Sequence, residues 1–130
     1  MSGGREARAK CIKLRCLVLA VCALSSGCGL CGNEIGYEEA SPNGKLKAVV
    51  FERDCGATTG ATTQISILHK SEALPNEAGN IFIAEGDLRL RAQWRSDAEL
   101  LVTYPSGTSV TLKQKQRNGV SVHYDESSTQ

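Results

Sequence analysis

Six cysteines, two histidines and one glycine–threonine repeat hold most of the chemistry this 130-residue chain could do. The cysteines stand at positions 11, 16, 22, 28, 31 and 55. A thiol attacks only as its thiolate, which needs a base or cation close by. In "FERDCGATTG", Arg53 lies two residues before Cys55, on the same face if the segment is a strand, and Asp54 opposes it. No local signature links His69 or His123 to Cys55, so a structural role is expected there over catalysis. "CGLC", Cys28 to Cys31, has the spacing of a redox pair or half a zinc site. A zinc site would need a second C-x-x-C or an H-x3-5-H partner, and the sequence has neither. "GATTGATT", Gly56 to Thr63, repeats four residues twice. A phosphate cradle would continue into a lysine and a helix, whereas this run reads as a wide polar turn between strands. Glu52, Asp54, His69, Glu85, Asp87, Asp97 and His123 are the candidate acid–base groups. No two of them have a diagnostic spacing, and charges on strands and turns are usually solvated.

The elements that would carry these residues divide at the N-terminus. Arg5, Arg8, Lys10, Lys13 and Arg15 form a basic head, the nine apolar residues Cys16 to Leu24 follow, and "SSGCG" supplies small residues. That order is a secretory signal peptide, expected over residues 1–27 as a short helix. Nine apolar residues are too few for a spanning helix, which needs about 20. "LSSGC" resembles a bacterial lipobox, with Gly27 before the cysteine and Ser26 before that, although Ser25 replaces the usual aliphatic residue. The resemblance implies cleavage before Cys28 and a lipid on its sulfur, with ordinary secretion as the alternative. It also outweighs the redox reading of "CGLC", because a redox motif opens a helix after a strand and this one follows a leader. With 11, 16 and 22 removed and Cys28 acylated, Cys31 and Cys55 remain, and exported cysteines of this kind usually pair.

The chain beyond the leader is expected to be all-β, a small antiparallel sandwich or barrel of about seven strands. Residues 28–40 are expected as a tether, 41–125 as the domain and 126–130 as a polar tail. "KLKAVVFER" (Lys45 to Arg53) is apolar at its centre, as a strand covered on both faces would be. Thr63 to His69 sets Ile65 and Ile67 on one face, and Gly79 to Glu85 sets Ile81 and Ile83. From Leu88 to Arg95 the alternation is strict: Leu88, Leu90, Ala92 and Trp94 point inward, while Arg89, Arg91, Gln93 and Arg95 point outward. Segments ending at Tyr104, Gln114 and Tyr124 complete the seven. "SPNGK", "RSDAE" and "YPSGT" punctuate them, and Asn118-Gly119 is a hairpin signal, since both central residues need positive φ. Removing 1–27 leaves ten basic against thirteen acidic side chains, a net charge of −3. That argues against a nucleic-acid partner, which wants a basic face.

"CGNE" (Cys31 to Glu34), "SPNGKLKAVVFERDCGATTG" (Ser41 to Gly60) and "TQISIL" (Thr63 to Leu68) together resemble a family of small bacterial exported proteins, lipoproteins of unassigned function. "GNIFIA" and "WRSDAELLV" extend the likeness over most of the chain after the leader, with departures at Asn43 and Ala61. The resemblance implies a bridge between Cys31 and Cys55 and no activity. The expectation is a non-enzymatic β domain in the cell envelope, tethered by lipid to a bacterial membrane and facing the periplasm. It needs no cofactor or metal and has no catalytic residue. Its partner would be an envelope protein or cell wall. The alternative is a ligand-binding module or inhibitor, since "YPSGTSV" (Tyr104 to Val110) resembles the Ser-Gly loop of small lipoproteins that block lysozyme.

Overall fold

A computed structural model describes residues 30–128. The expected signal helix over 1–27 and the expected acylation site Cys28 lie outside the described residues. The described chain is all-β: β1 (Gly32–Ala40), β2 (Leu46–Asp54), β3 (Ala61–His69), β4 (Phe82–Glu85), β5 (Arg91–Ser96), β6 (Glu99–Pro105), β7 (Val110–Lys113), β8 (Gln116–Arg117) and β9 (Val120–Ser127). They form two sheets, in the orders β1-β2-β3-β4-β7 and β5-β6-β9-β8.

Seven of these strands match the expected segments, and three differences have physical causes. Residues 32–40, expected within a tether, form β1, paired with β2 over its whole length. Alternation could not reveal it, because an edge strand whose faces are mostly solvated has no apolar period to show. The tail expected from residue 126 begins later, because β9 runs to Ser127 beside Pro105. Pairing is antiparallel throughout except between β6 and β9, which run parallel. The chain leaves the second sheet after β6, crosses to the first as β7, and returns as β8. The Asn118-Gly119 turn then reverses it beside β6, with φ of 52° and 76° at those two residues.

The inner faces of the two sheets meet in one core. Ala48, Val50, Ile65, Ile67, Phe82 and Ala84 from the first sheet pack against Leu100, Val102, Tyr104, Val120 and Val122 from the second. Leu90 and Ala92 join them, and Arg89, Arg91, Gln93 and Arg95 are exposed, as the alternation requires. β4 is out of phase with expectation. Phe82 and Ala84 face the core and Ile83 faces away, because the strand starts at Phe82. Ile81 is still buried, on an irregular approach whose N–H donates to Ile65 O at 3.1 Å.

A second, smaller core lies on the outer face of β2 and β3. Val49, Phe51 and Leu68 are buried there, with Leu74 packed against them. Both faces of "KLKAVVFER" are therefore covered, as expected. Segment 70–81 carries the covering Leu74 and binds the outer face of β3 by hydrogen bonds in place of a regular ladder. Asn80 acts as a surrogate strand: its Oδ1 accepts from Ile67 N at 2.8 Å and its Nδ2 donates to Ile67 O at 2.9 Å. Gly79 N donates to Gln64 Oε1 at 2.6 Å. A side chain at Gly79 would meet Ile65 O and Phe82 O at 2.9 Å, so the close approach requires glycine.

Candidate functional site

Gly32 pairs with Asp54 in the β1–β2 register, and Cys31 and Cys55 are the next residues outward on each strand. They are joined as a disulfide, with an S–S length of 2.10 Å, across 24 residues of sequence. Cys55 is thus half of a cross-strand bridge that closes the β1–β2 hairpin, and no free thiolate exists there. Its neighbour Arg53 has amide partners in place of a thiolate or carboxylate. Arg53 Nη1 donates to Asn33 Oδ1 at 2.7 Å and to Asn76 Oδ1 at 3.0 Å. Asn76 Nδ2 in turn donates to Cys31 O, and Asn33 Nδ2 lies within bonding distance of Pro75 O and Glu77 O. The guanidinium and two amides therefore pin segment 75–77 to the start of β1, which the disulfide ties to the end of β2.

The threonine repeat divides as a turn and a strand. Gly56 to Gly60 turns between β2 and β3, with positive φ at both glycines, and the second repeat opens β3. Asp54 Oδ1 accepts the Gly56 N–H at 2.9 Å, and Thr62 Oγ1 donates to Arg53 O at 3.1 Å. The hydroxyls and the carboxylate satisfy backbone groups, as the polar-turn reading expects.

The structure disperses the candidate acid–base groups. His69 ends β3 and His123 lies in β9, in different sheets, and both are exposed. Asp97 accepts the Asn43 N–H at 2.7 Å and so ties the β5–β6 turn to the β1–β2 turn. Glu85 and Asp87 are exposed. Among the described residues no three His, Cys, Asp or Glu side chains gather as metal ligands would. The Ser106-Gly107 turn is exposed and well held: Ser106 N donates to Ser127 O at 2.9 Å and Thr108 Oγ1 to Pro105 O at 2.5 Å.

Sequence reading missed two clusters. One is aromatic: Phe82 stacks near Tyr104 and Tyr124, with ring centroids 5.2 and 5.9 Å away. Lys113 Nζ lies over both tyrosine rings and donates to Tyr104 Oη at 3.0 Å, while Tyr104 Oη donates to Glu126. Tyr124 Oη has Gln114 O at 2.5 Å and Ile81 O at 3.0 Å as acceptors. Burial, with Tyr104 nearby, pushes the Tyr124 phenol well above its usual range. The other cluster surrounds β1. A groove of about 410 Å³ opens between β1–β2 and residues 87–90. A second, of about 530 Å³, lies on the outer side of β1 beneath Leu74. Tyr37 closes the far end of the first, its hydroxyl donating to Leu90 O at 3.1 Å and accepting from Ala92 N at 2.8 Å. No periodic signal marks either cluster, because both arise from residues far apart in the chain. No protein-family model matches the chain, and neither does a curated protein or a solved structure, so the geometry stands alone as the guide to function.

Proposed function

We propose that this chain is an exported bacterial lipoprotein, cut before Cys28 and acylated there, that displays a non-enzymatic β domain in the cell envelope, facing the periplasm. The observation that carries this reading is the Cys31–Cys55 disulfide. It uses two of the three cysteines beyond the leader and leaves Cys28 as the one sulfur for a thioether. Two residues separate Cys28 from the bridge, a reach of about 10 Å at most. A lipid on Cys28 would therefore hold the Cys31 end of the domain close to the membrane surface. Feeding cells a radioactive fatty acid tests the anchor. The protein becomes labelled, the Cys28→Ala protein does not, and both keep the disulfide. Cytoplasmic protein with three free thiols at 28, 31 and 55 would sink the proposal.

The alternative, an inhibitor of a muramidase, draws on the held and exposed Ser106-Gly107 turn. Inhibition that Ser106→Ala removes without loss of stability would favour it over a plain tethered domain.

A further inference from the structure

Leu30, Ile35 and Tyr37 are the exposed large hydrophobic residues among those described, at 76%, 47% and 37%. Ile35 and Tyr37 lie on β1, and Leu30 two residues before it. β1 is also a sheet edge, with β2 as its one hydrogen-bonded neighbour strand. An edge strand presents unpaired N–H and C=O groups that can template another chain. Its C-terminal half is already covered, because Trp94 Nε1 donates to Glu39 O at 2.8 Å and Tyr37 reaches across to the β5 backbone. Over 32–36 the backbone has no partner among the described residues besides β2, and segment 75–77 meets this end of the strand through the Asn33 side chain and the Cys31 carbonyl. Gly36 is the bulged residue that ends this stretch, since the register shifts between Ile35 and Tyr37.

The two grooves lie on either side of this edge, and Ile35 lines both. The inner groove has Val50, Leu88 and Leu90 as apolar lining, with Glu34, Glu52 and Asp87 adding negative charge and Arg89 the one basic residue. The outer groove has Ile35, Ala73 and Leu74 as apolar lining, beside the polar Asn33, Glu38 and Asn76. A strand laid along the edge sends successive side chains to opposite faces, so it would place them alternately in the inner groove, beside Glu34 and Glu52, and in the outer groove, beside Ile35 and Leu74. We propose that the 32–36 edge of β1 takes an extended segment of a partner protein as an added strand. The segment directs a lysine or arginine toward Glu34 and Glu52 and an aliphatic side chain toward Ile35 and Leu74.

Charge selects this occupant. Glu34 and Glu52 face each other across the β1–β2 ladder, and among the described residues neither has a cation within ion-pair distance. Like charges opposite one another destabilise a sheet, and a basic side chain from a partner relieves that repulsion. A second copy of this chain does not fit, because its own β1 carries Glu34, Glu38 and Glu39 and would set carboxylate against carboxylate. The acidic residues guard the edge against acidic strands and leave it open to basic ones. The inference is independent of the lipid anchor, since it uses residues 30–94 alone.

The test uses the oxidised, 15N-labelled full chain in non-ionic detergent micelles, titrated with two blocked pentapeptides, one alternating valine and lysine, the other valine and glutamate. The lysine peptide shifts the amides of 32–36 and of the Leu74 segment, and the glutamate peptide leaves them unmoved. Ile35→Lys, at an exposed position that the fold tolerates, weakens the lysine peptide about tenfold. The double variant Glu34→Lys, Glu52→Lys reverses the preference between the peptides. The proposal is overturned if the lysine peptide moves none of these amides or if both peptides shift them equally. It is overturned equally if the same amides move on concentrating the protein alone, which would make a second copy the occupant.

Discussion

Strands β2 and β3 bury both of their faces, and each face is covered by different means. The inner face meets a second sheet, and aliphatic and aromatic side chains fill the space between them. The outer face meets a loop, and its small core of Val49, Phe51 and Leu68 would be open without it. Side-chain amides and one guanidinium hold that loop in place, and the disulfide fixes the strand ends it is bonded to. A sheet supplies its own ladder of hydrogen bonds when it covers a face. A loop has no ladder, so each of its buried polar groups needs an individually placed partner. Covering by sheet should therefore fail through lost volume, and covering by loop through lost pins.

The largest effect expected is on the inner face. Phe82 is fully buried and touches both tyrosine rings. Phe82→Ala should cost about 4 kcal/mol of unfolding free energy, as a transfer loss plus an unfilled cavity. Urea denaturation measures it. A cost no larger than that of Leu74→Ala would show that the two cores contribute alike.

Next comes the bridge. Cys55→Ser frees the denatured chain from a closed loop of about 25 residues and should cost roughly 3.5 kcal/mol. Hydrogen exchange sharpens the prediction. The amides of 31–35 and 75–81 should lose protection first, while β6 and β9 keep theirs. Uniform loss across both sheets would mean that the bridge stabilises the whole fold evenly, with no special hold on the loop.

A single amide tests the loop's surrogate strand. Asn80→Ala strips the Ile67 N–H of its partner and leaves Ile67 O the longer bond from Asn118 Nδ2 at 3.4 Å. One buried N–H then lacks a partner and one buried carbonyl keeps a long bond, at a cost of about 2 kcal/mol. Stability within a few tenths of a kcal/mol of the parent would show that water replaces the side chain freely.

The same contrast separates what could be read in the sequence from what could not. The inner face was legible because it follows a period. Leu88 to Arg95 alternates in the sequence as it does in space, and Asn118-Gly119 marks its hairpin by backbone chemistry alone. The outer cover was not legible. Nothing in "ALPNEAGN" shows that Asn76 and Asn80 will find such partners, because those partners lie 13 or more residues away in the chain. β1 escaped for a related reason. It has one paired side, exposed faces and a glycine bulge, so it shows no alternation, and a tether was the natural expectation. The pairing of Cys31 with Cys55 was legible by counting, and the grooves beside β1 were not, because a groove belongs to surfaces that meet only after folding.

The smallest effect at neutral pH concerns the polar margin of the inner core. Tyr124 donates its one proton to either the Gln114 or the Ile81 carbonyl, and Tyr124→Phe should cost about 1 kcal/mol there. Its pH dependence identifies the face. Burial raises the Tyr124 pKa in the folded state above the unfolded value of about 10. The folded protein thus holds this proton longer than the unfolded chain does. The stabilisation is fully present below about pH 10 and is lost as pH rises beyond it toward the folded pKa. Wild type should therefore lose stability more steeply than Tyr124→Phe above about pH 10, narrowing the gap between them. The outer face contributes no such slope through its amide pins, because asparagine side chains do not titrate. Equal slopes for the two proteins would place the alkaline sensitivity elsewhere, and the two covers would then differ in packing alone and not in their response to protons.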